Sequence, residues 1–598
     1  MRTLIQRLLE RGRRDPGLAY LALALVAAVA LYAPTLGRGL VNYDDPWLYT
    51  NNTVLHHPTW AGVVTVFADL DSPQRFQLSP EYLPIRDLSV MTDYAIWGEH
   101  YGGFHLTSLL IYLAAIAIWF VALTELGIAR PIAGLALLVW AVHPSHAESV
   151  AWLAERKGVL GMLWAGTCAL GYARYRAGRS AWWLVLAVTG GVFAVWSKAI
   201  AAFAVAALAP LELALPDRRV SWRRSLVGLG AIALATGLAY APVVALALHW
   251  SIIGGDNAPL PASRVASVIG AHGFYLRLAA GTIASAVSYP ISTDGPSMLD
   301  LVAGVLGFAA AIAALVRGSP VLRVAAIIWL FGWLPVGHLL LPLQMVFVAD
   351  RYLLVPSLGF ALALAVGLAA ISRPLLRRVA ITAVVVALGL RALDAQATWK
   401  TKESLWQRAI DSNPNDGRAW AMYLEALGED GRTDVQREIV NEALSRSRLP
   451  RIVLHAALLE LADGHRAKGE ALMHEAASHG EPRAMADFAN LLAEDRNLDE
   501  ALRWARYATT ASPSYADGHQ IRGKVARLAG RDREARQAFE RAYLLEPGAA
   551  PNRFNLALAL FDAGELADAK ALVATVTGDP VLGGQARALL AEIARRGG

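Results

Sequence analysis

The stretch Val41-Asn42-Tyr43-Asp44-Asp45-Pro46-Trp47 places two adjacent carboxylates directly behind the first long apolar segment, residues 17–36. That segment is long enough to cross a bilayer, which takes about 20 apolar residues. Carboxylates beside hydrocarbon are costly unless they face water. We therefore expect Asp44 and Asp45 at the membrane surface, where the chain first emerges. From the pair alone, a catalytic base toward a hydroxyl group and a solvated Asp-Asp-Pro turn are equally good interpretations.

Composition divides the chain into two large parts. Of its 598 residues, 56% are hydrophobic and 17% are charged, whereas soluble domains carry about 25% charged residues. The apolar excess fills residues 17–394, and the remainder is typical of a soluble helical protein. We predict a membrane domain over 1–398 and a separate domain over 399–598. The net charge of +6 fits membrane topology better than nucleic-acid binding.

Apolar segments predict a polytopic, all-α membrane domain of about eleven spans. They lie at 17–36, 105–125, 131–148, 157–173, 182–198, 200–215, 225–249, 299–316, 321–341, 353–371 and 378–394. Arginines fall on alternate loops, at 130, 174–179, 218–224, 317–323 and 373–378. Since basic residues mark cytoplasmic loops, this pattern predicts a cytoplasmic N-terminus, to which Arg2, Arg7, Arg11, Arg13 and Arg14 contribute. A crossing at 265–290 would break the pattern, so we predict a re-entrant or interfacial helix there.

The last two hundred residues contain a repeat. Prolines recur at 414, 450, 482, 513, 547 and 580, with paired amphipathic patterns between them. A period near 34 residues with this pattern resembles tetratricopeptide repeats. Such arrays form an α-solenoid whose concave face usually holds a peptide or a protein. A spacer or dimerisation arm is the alternative interpretation.

The loops on the predicted outer side carry the residues that are suited to chemistry. They supply the carboxylates Asp44, Asp45, Glu148 and Asp350 and the cations Arg86, Arg156, Lys157, Lys198 and Arg351. Arginine binds phosphate through a planar fork and lysine binds it as a point charge. Four such loops on one side favour a phosphate-bearing substrate. Taken singly, each residue also fits a salt bridge or an interfacial side chain that reaches for water.

Other kinds of site have weaker support. His143 and His146 could bind a metal together with Glu148, but packing and hydrogen-bonding roles are favoured because a chelating site needs more ligands. We predict no metal ligands, although the sequence leaves metal dependence open. The single cysteine, Cys168, excludes an intrachain disulfide and a thiolate zinc cluster. The chain contains neither a Walker loop nor a Gly-x-Ser-x-Gly motif.

The order of these segments resembles the transmembrane-and-tetratricopeptide O-mannosyltransferases of the GT-C glycosyltransferase superfamily. The matching pieces are Tyr43-Asp44-Asp45, Leu83-Pro84 through Phe104-His105-Leu106, His143-Pro144-Ser145-His146-Ala147-Glu148-Ser149-Val150-Ala151, Arg156-Lys157-Gly158-Val159-Leu160, Ser197-Lys198 and the stretch from Asp350-Arg351-Tyr352 to Phe360. The chain departs from the family at Ala199, where a glutamate is usual. It also has Tyr82-Leu83-Pro84 for Tyr-Arg-Pro, which makes Arg86 the candidate replacement for the arginine.

This resemblance implies an inverting glycosyltransferase with a polyprenyl-phosphate sugar donor. Asp44 and Asp45 are the expected catalytic residues, with Asp45 slightly favoured for contact with the acceptor. Arg156, Lys157, Lys198 and Arg351 are expected to hold the donor phosphate. Arg86, His143, His146, Glu148 and Asp350 are expected to bind the acceptor or the sugar.

The expected acceptor is Ser or Thr of an extracytoplasmic protein, recruited by the repeats, and the sugar is a hexose such as mannose. The alanine-rich and arginine-rich composition suggests a bacterial inner membrane with the repeats in the periplasm. A glycolipid or polysaccharide acceptor is an alternative, and so is a non-enzymatic membrane scaffold. A transporter is disfavoured because two related halves with broken helices are not evident.

Overall fold

The computed structural model describes residues 15–50, 52–56, 58–70, 78, 81–215, 221–249, 263–290, 295–340 and 347–597. Every regular element in these ranges is helical, so the predicted all-α fold class is confirmed. The arginines predicted to mark a cytoplasmic N-terminus, and Arg218 and Arg219, lie outside the described residues.

The chain forms two compact units, Met1–Asn413 and Pro414–Gly598. Helices of the first unit lie at Pro16–Tyr32, Thr53–His56, Trp60–Ala68, Pro84–Trp97, Tyr101–Glu125, Arg130–Ala141, His146–Ala151, Arg156–Arg176, Trp182–Ser197, Ala201–Ala206, Leu208–Ala214, Trp222–His249, Arg264–Ala279, Met298–Arg317, Pro320–Trp333, Pro356–Ala369, Pro374–Ala397 and Lys402–Ser412. Short 3-10 turns occur at Ala33–Gly37, Leu153–Glu155 and Asp350–Leu353, and a π turn at Pro46–Thr50. The predicted boundary after residue 398 stays a prediction.

Four helices in the described part are long and apolar enough to cross a membrane: Pro16–Gly37, Tyr101–Glu125, Trp222–Leu248 and Met298–Arg317. The other apolar segments also form helices, but several of these have only 10–17 residues, such as Arg130–Ala141 and Pro356–Ala369. A straight crossing takes about 20 residues. The count of eleven crossings therefore stays a prediction.

Ion pairs show that three of the arginine-bearing loops meet at one end of the helices. Glu125 pairs with Arg174 at 2.9 Å and with Arg179 at 3.4 Å. Arg176 pairs with Glu212 at 2.8 Å. The loops near residues 125, 174–179 and 212 therefore share one side of the first unit, as the alternation of arginines requires. That this side is cytoplasmic stays a prediction.

The helix in the segment 265–290 packs closely against a neighbouring helix, and glycines lie at the contact. The helix Arg264–Ala279 crosses the helix Met298–Arg317 where Gly273 meets Gly304. A Cβ on Gly273 would lie 1.8 Å from the carbonyl oxygen of Asp300, and one on Gly304 would lie 2.0 Å from that of Ile269. Small residues thus allow these two backbones to approach closely. Whether Arg264–Ala279 crosses the membrane stays open.

The second unit is built of helix pairs. They are Gly417–Glu429 with Thr433–Arg446, Pro450–Ala462 with Arg466–Ser478, Pro482–Glu494 with Leu498–Ala511, Ala516–Leu528 with Asp532–Leu545, and Ala550–Asp562 with Leu566–Ala574, followed by Gly583–Arg595. Consecutive pairs pack against one another, as in an α-solenoid. The predicted repeat of paired amphipathic helices is confirmed.

A left-handed residue closes the turn inside each pair. Glycine holds this position in four pairs, at 431, 464, 530 and 564, with φ between 70° and 81°. In the third pair the residue is Arg496, with φ of 62°. Left-handed backbone costs a non-glycine residue roughly 1–2 kcal/mol, so Arg496 is the strained member of the series.

We predict that Arg496→Gly stabilises the repeat unit by about 0.5–1 kcal/mol, since relief of strain outweighs the extra freedom of glycine in the unfolded chain. Thermal unfolding of the full chain, followed by helical circular dichroism, measures the shift. The matched control is Asn497→Gly, where φ is −85° and glycine relieves no strain. This control should lower the unfolding temperature, and a lower temperature for Arg496→Gly would contradict the interpretation.

Candidate active site

The two carboxylates after the first helix have different surroundings. Asp45 is 1% exposed, and its carboxylate accepts the backbone N–H groups of Val41 at 2.9 Å and Ala154 at 3.1 Å. Asp44 is only half-buried. Asp45 therefore ties its loop to the segment that follows the helix His146–Ala151, whereas Asp44 remains partly accessible to solvent.

The environment of Asp45 also changes its protonation. Burial raises the pKa of Asp45 to about 7. The N–H groups of Val41 and Ala154 act in the opposite direction, and the nearby charge of Asp44 acts in the same direction as burial. Asp45 can therefore carry a proton near neutral pH.

Three of the predicted cations converge around Tyr352. The ammonium nitrogen of Lys198 lies 6.0 Å from the centroid of the Tyr352 ring, and the guanidinium carbon of Arg351 lies 5.1 Å from it. Burial raises the pKa of the Tyr352 hydroxyl, while the charges of Arg351 and Lys157 oppose that rise. Residues from three separate parts of the sequence thus form one cationic group, which we call the cation cluster (Lys157, Lys198 and Arg351).

Each member of the cation cluster is held by its own carboxylate. Lys157 pairs with Glu81 at 2.6 Å, Lys198 pairs with Glu155, and Arg351 pairs with Glu148. The backbone N–H of Arg351 also donates to Glu148 at 2.7 Å. The cationic side chains keep 11–17% of their surface exposed, so they are fixed in place but still within reach of a ligand.

Arg156, the fourth predicted phosphate ligand, is enclosed. It pairs with Asp93 at 2.6 Å, and both side chains are at most 1% exposed. Its guanidinium also donates to Ser108 Oγ at 2.9 Å and to the carbonyl oxygen of Phe104 at 2.7 Å. This arrangement fits a structural cation that joins the helices Pro84–Trp97 and Tyr101–Glu125. Its predicted contact with phosphate stays a prediction, and this geometry does not favour it.

Arg86 is likewise buried. Its guanidinium pairs with Asp87 at 2.6 Å and donates to the carbonyl oxygen of Leu78 at 2.9 Å, leaving 3% of the side chain exposed. These contacts hold the chain at Leu78 against the start of the helix Pro84–Trp97. The predicted role of Arg86 in binding the acceptor or the sugar stays a prediction.

Both histidines of the His143–His146 segment have partners on both ring nitrogens. His143 contacts Ser145 Oγ at 2.7 Å and the carbonyl oxygen of Ala279 at 2.9 Å. His146 contacts the hydroxyl groups of Tyr112 and Ser357, each at 2.9 Å. No group of three or more His, Cys, Asp or Glu side chains that could hold a metal ion occurs among the described residues. These contacts fit hydrogen-bonding roles that hold the loop in place.

Glu148 and Asp350 come together beside a small cavity that Ser285 and Trp399 also line. Burial raises the pKa of Asp350 to about 7, and the charge of Glu148 adds to this effect. Hydrogen bonds from Tyr289 and Ser285 oppose it. The two predicted acceptor or sugar ligands therefore share one polar pocket, in which one carboxyl group is easily protonated.

Sequence reasoning missed an aromatic group beside residues 41–47, which we call the acidic loop. The ring of Tyr43 meets the edge of Trp152 at 4.9 Å and stacks on Trp406 at 5.4 Å. Trp152 in turn stacks on Trp399 at 5.0 Å. The available signal was the presence of two tryptophans, Trp399 and Trp406, shortly after the last apolar segment. They bring the end of the first unit against the loop of Asp44.

No family model matches the chain, and no curated protein matches it significantly. Among solved structures, the apo oligosaccharyltransferase of Archaeoglobus fulgidus aligns at 16% identity over 67% of this chain and 59% of its own, with a TM-score of 0.37. The ArnT structure from Cupriavidus metallidurans, bound to undecaprenyl phosphate, aligns at 16% identity over 80% of each chain, with a TM-score of 0.34.

Yeast Tom70 aligns at 11% identity over 81% of this chain and 96% of its own, with a TM-score of 0.28. The chain thus spans about three fifths of the length of the oligosaccharyltransferase. At these TM-scores the likeness says nothing about the site residues.

Titration of Asp350 predicts a specific pH dependence of stability. Its folded pKa of about 7 lies above the value of about 3.9 expected in the unfolded chain. Between these values the folded state binds more protons, so this contribution is complete below about pH 4 and is lost as the pH rises through 7. We predict that the unfolding temperature of Asp350→Asn falls less than that of the wild type between pH 5 and pH 8. Equal slopes for the two proteins would contradict the assignment.

Proposed function

We propose that the chain is a membrane glycosyltransferase that moves a sugar from a polyprenyl-phosphate donor to a hydroxyl group of an acceptor. The observation that carries this proposal is the convergence of Lys157, Lys198 and Arg351. Arg351 lies over the ring of Trp152 at 5.9 Å, and Trp152 contacts Tyr43, the neighbour of Asp44. A phosphate group that leaves with a negative charge needs such fixed cations. The membrane-length helices of the first unit suit a substrate whose carrier is a lipid.

Asp44 is the favoured base in this proposal. The sequence slightly favoured Asp45, but Asp45 is enclosed and its carboxylate already accepts two backbone N–H groups. Asp44 comes from the same loop and remains partly exposed. A base must come within hydrogen-bond reach of the proton that it removes, and Asp44 meets that condition more readily.

The proposed reaction is a single displacement. The acceptor oxygen attacks the anomeric carbon of the sugar while the bond from that carbon to the phosphate oxygen breaks. The hydroxyl proton passes to Asp44, and the bonding electrons leave with the polyprenyl phosphate. One displacement inverts the configuration at the anomeric carbon. Lys157, Lys198 and Arg351 stabilise the charge of the departing phosphate.

Glutamates hold the cations of the site in place before the donor binds. Before the donor binds, Glu81, Glu155 and Glu148 neutralise the cation cluster. A donor phosphate then exchanges one set of charge-assisted contacts for another instead of ordering flexible side chains. Preorganised charges of this kind need little rearrangement during reaction.

The acceptor is proposed to be Ser or Thr of a protein, with the repeats raising its local concentration. In the second unit the first helices of four successive pairs line a groove of about 600 Å³. Arg451 and Arg483 in this groove both pair with Glu425, at 2.7 and 4.0 Å. Further acids line it, including Asp487 and Asp517. This excess of negative charge favours acceptor segments that carry lysine or arginine.

We predict that Asp44→Asn lowers sugar transfer by about 100-fold or more, since general base catalysis contributes at least that factor. The assay uses the purified full chain in vesicles, undecaprenyl-phosphate-linked hexose and a pool of extracytoplasmic proteins. Intact-mass analysis of the acceptor proteins reports a hexose-sized increase. Sugar recovered only in a lipid fraction would identify a glycolipid or polysaccharide acceptor instead.

The matched control is Glu125→Gln, which removes a partly exposed carboxylate at the opposite end of the first unit. It should transfer sugar at the wild-type rate. Asp45→Asn should mainly lower the unfolding temperature, because an amide oxygen can replace only one of the two acceptor atoms. Normal transfer by Asp44→Asn would exclude Asp44 as the base, whereas the absence of any sugar transfer by the wild-type chain would overturn the proposed function and favour a membrane scaffold.

Removal of a cation tests the donor site separately. We predict that Arg351→Ala weakens binding of undecaprenyl phosphate by about tenfold or more, because a hydrogen bond to a charged group contributes roughly 1.5–3 kcal/mol. Arg174→Ala is the control, since Arg174 pairs with Glu125 away from the cation cluster. Unchanged affinity in Arg351→Ala, measured by calorimetry in detergent, would exclude Arg351 as a phosphate ligand.

A further inference from the structure

The segment from Gln396 to Asn413 packs on the loop that carries Asp44. The indole N–H of Trp406 donates to Asn42 Oδ1 at 2.7 Å, and both residues are buried. The ring of Trp406 also stacks on Tyr43 with a centroid distance of 5.4 Å. Arg38, at the start of the loop, donates to the carbonyl oxygen of Gln396 at 2.7 Å. The two residues before Asp44 in sequence are therefore held by this segment.

The same segment also reaches the polar pocket of Glu148 and Asp350. Thr398 and Trp399 line that pocket together with the two carboxylates. Trp399 stacks on Trp152 with an angle of 12° between the ring planes. One short stretch of chain thus contacts the acidic loop on one side and the pocket carboxylates on the other.

We propose that the segment 396–413 is a positioning element for the transfer reaction, and that the hydrogen bond from Trp406 to Asn42 sets the position of the Asp44 carboxylate. This inference rests on the proposed function, because it assigns a purpose to the placement of Asp44. Trp406 contacts no reacting group in this proposal. It acts through the backbone of Asn42 and Tyr43.

Two attachments fix the acidic loop, and Asp44 lies between them. On one side Asp45 is bound by the backbone N–H groups of Val41 and Ala154. On the other side Asn42 is bound by Trp406. Loss of the second attachment releases Asn42, two residues before Asp44, from Trp406. Small displacements of a catalytic group lower rates steeply, and a shift of about 1 Å can cost 100-fold.

The test is Trp406→Phe, which keeps an aromatic ring for Tyr43 but removes the N–H donor. We expect kcat for sugar transfer to fall about tenfold while the affinity for undecaprenyl phosphate stays within about twofold, since the cation cluster is untouched. Hydrogen exchange at the amides of residues 41–47 should become faster. Asn42→Ala should have a similar effect, and the double variant should be no worse than either single variant.

Trp119→Phe is the matched control, because Trp119 is a buried tryptophan whose N–H donates to the carbonyl oxygen of Met162 at 3.0 Å. It loses the same atoms elsewhere in the first unit and should keep the wild-type kcat. Wild-type kcat in Trp406→Phe, or equal losses in both variants, would overturn the positioning role. If the wild-type chain transfers no sugar, the proposed function fails instead, and faster exchange at residues 41–47 in Trp406→Phe would still show that Trp406 holds the loop. Normal transfer by Asp44→Asn would overturn the positioning role, because Asp44 would then have no part in the reaction.

Discussion

The buried carboxylate of Asp45 is the constraint on which the rest of the site depends. A carboxylate in a region of low polarity is unfavourable unless hydrogen bonds replace its water. Asp45 finds them in the backbone N–H groups of Val41, four residues earlier in the sequence, and Ala154, 109 residues away. Together with the bond from Trp406 to Asn42, these two bonds fix the position of the loop after the first helix. The bond from Ala154 joins this loop to the segment that leads into Lys157.

The cation cluster is also fixed by contacts, here between cations and glutamates. Ion pairs that are largely buried add little net stability, because desolvation offsets most of the attraction. The pairs Lys198–Glu155 and Arg351–Glu148 are therefore poorly explained as contributions to folding alone. They are better explained as a way to keep cations in fixed positions without a ligand. A phosphate can then bind to charges that are already placed, and the same glutamates can receive the cations back afterwards.

Local pattern was enough to predict the helices and much less of the site. Apolar runs of about 20 residues and a proline period near 34 identified the helical segments and the paired helices, since both signals lie within a short stretch of sequence. The position of Arg156 could not be predicted in this way. Arg156 and Lys157 are both cationic and adjacent in sequence, but successive residues on a helix point about 100° apart, so the two side chains meet different neighbours in space. Asp93, Ser108 and Phe104 enclose Arg156, and no sequence signal linked them to it.

The comparison of Arg156 with Lys157 also clarifies Asp44 and Asp45. In each pair of neighbours, one residue is enclosed by partners from elsewhere in the fold and the other retains exposed surface. A charged group can be held accurately only if the backbone beside it is fixed, and an enclosed neighbour of the same kind provides that fixation. The enclosed residue then holds the backbone in place, and the exposed residue can contact a substrate. A motif of two adjacent acids or two adjacent bases therefore does not indicate two equivalent functional groups, and burial is the property that separates them.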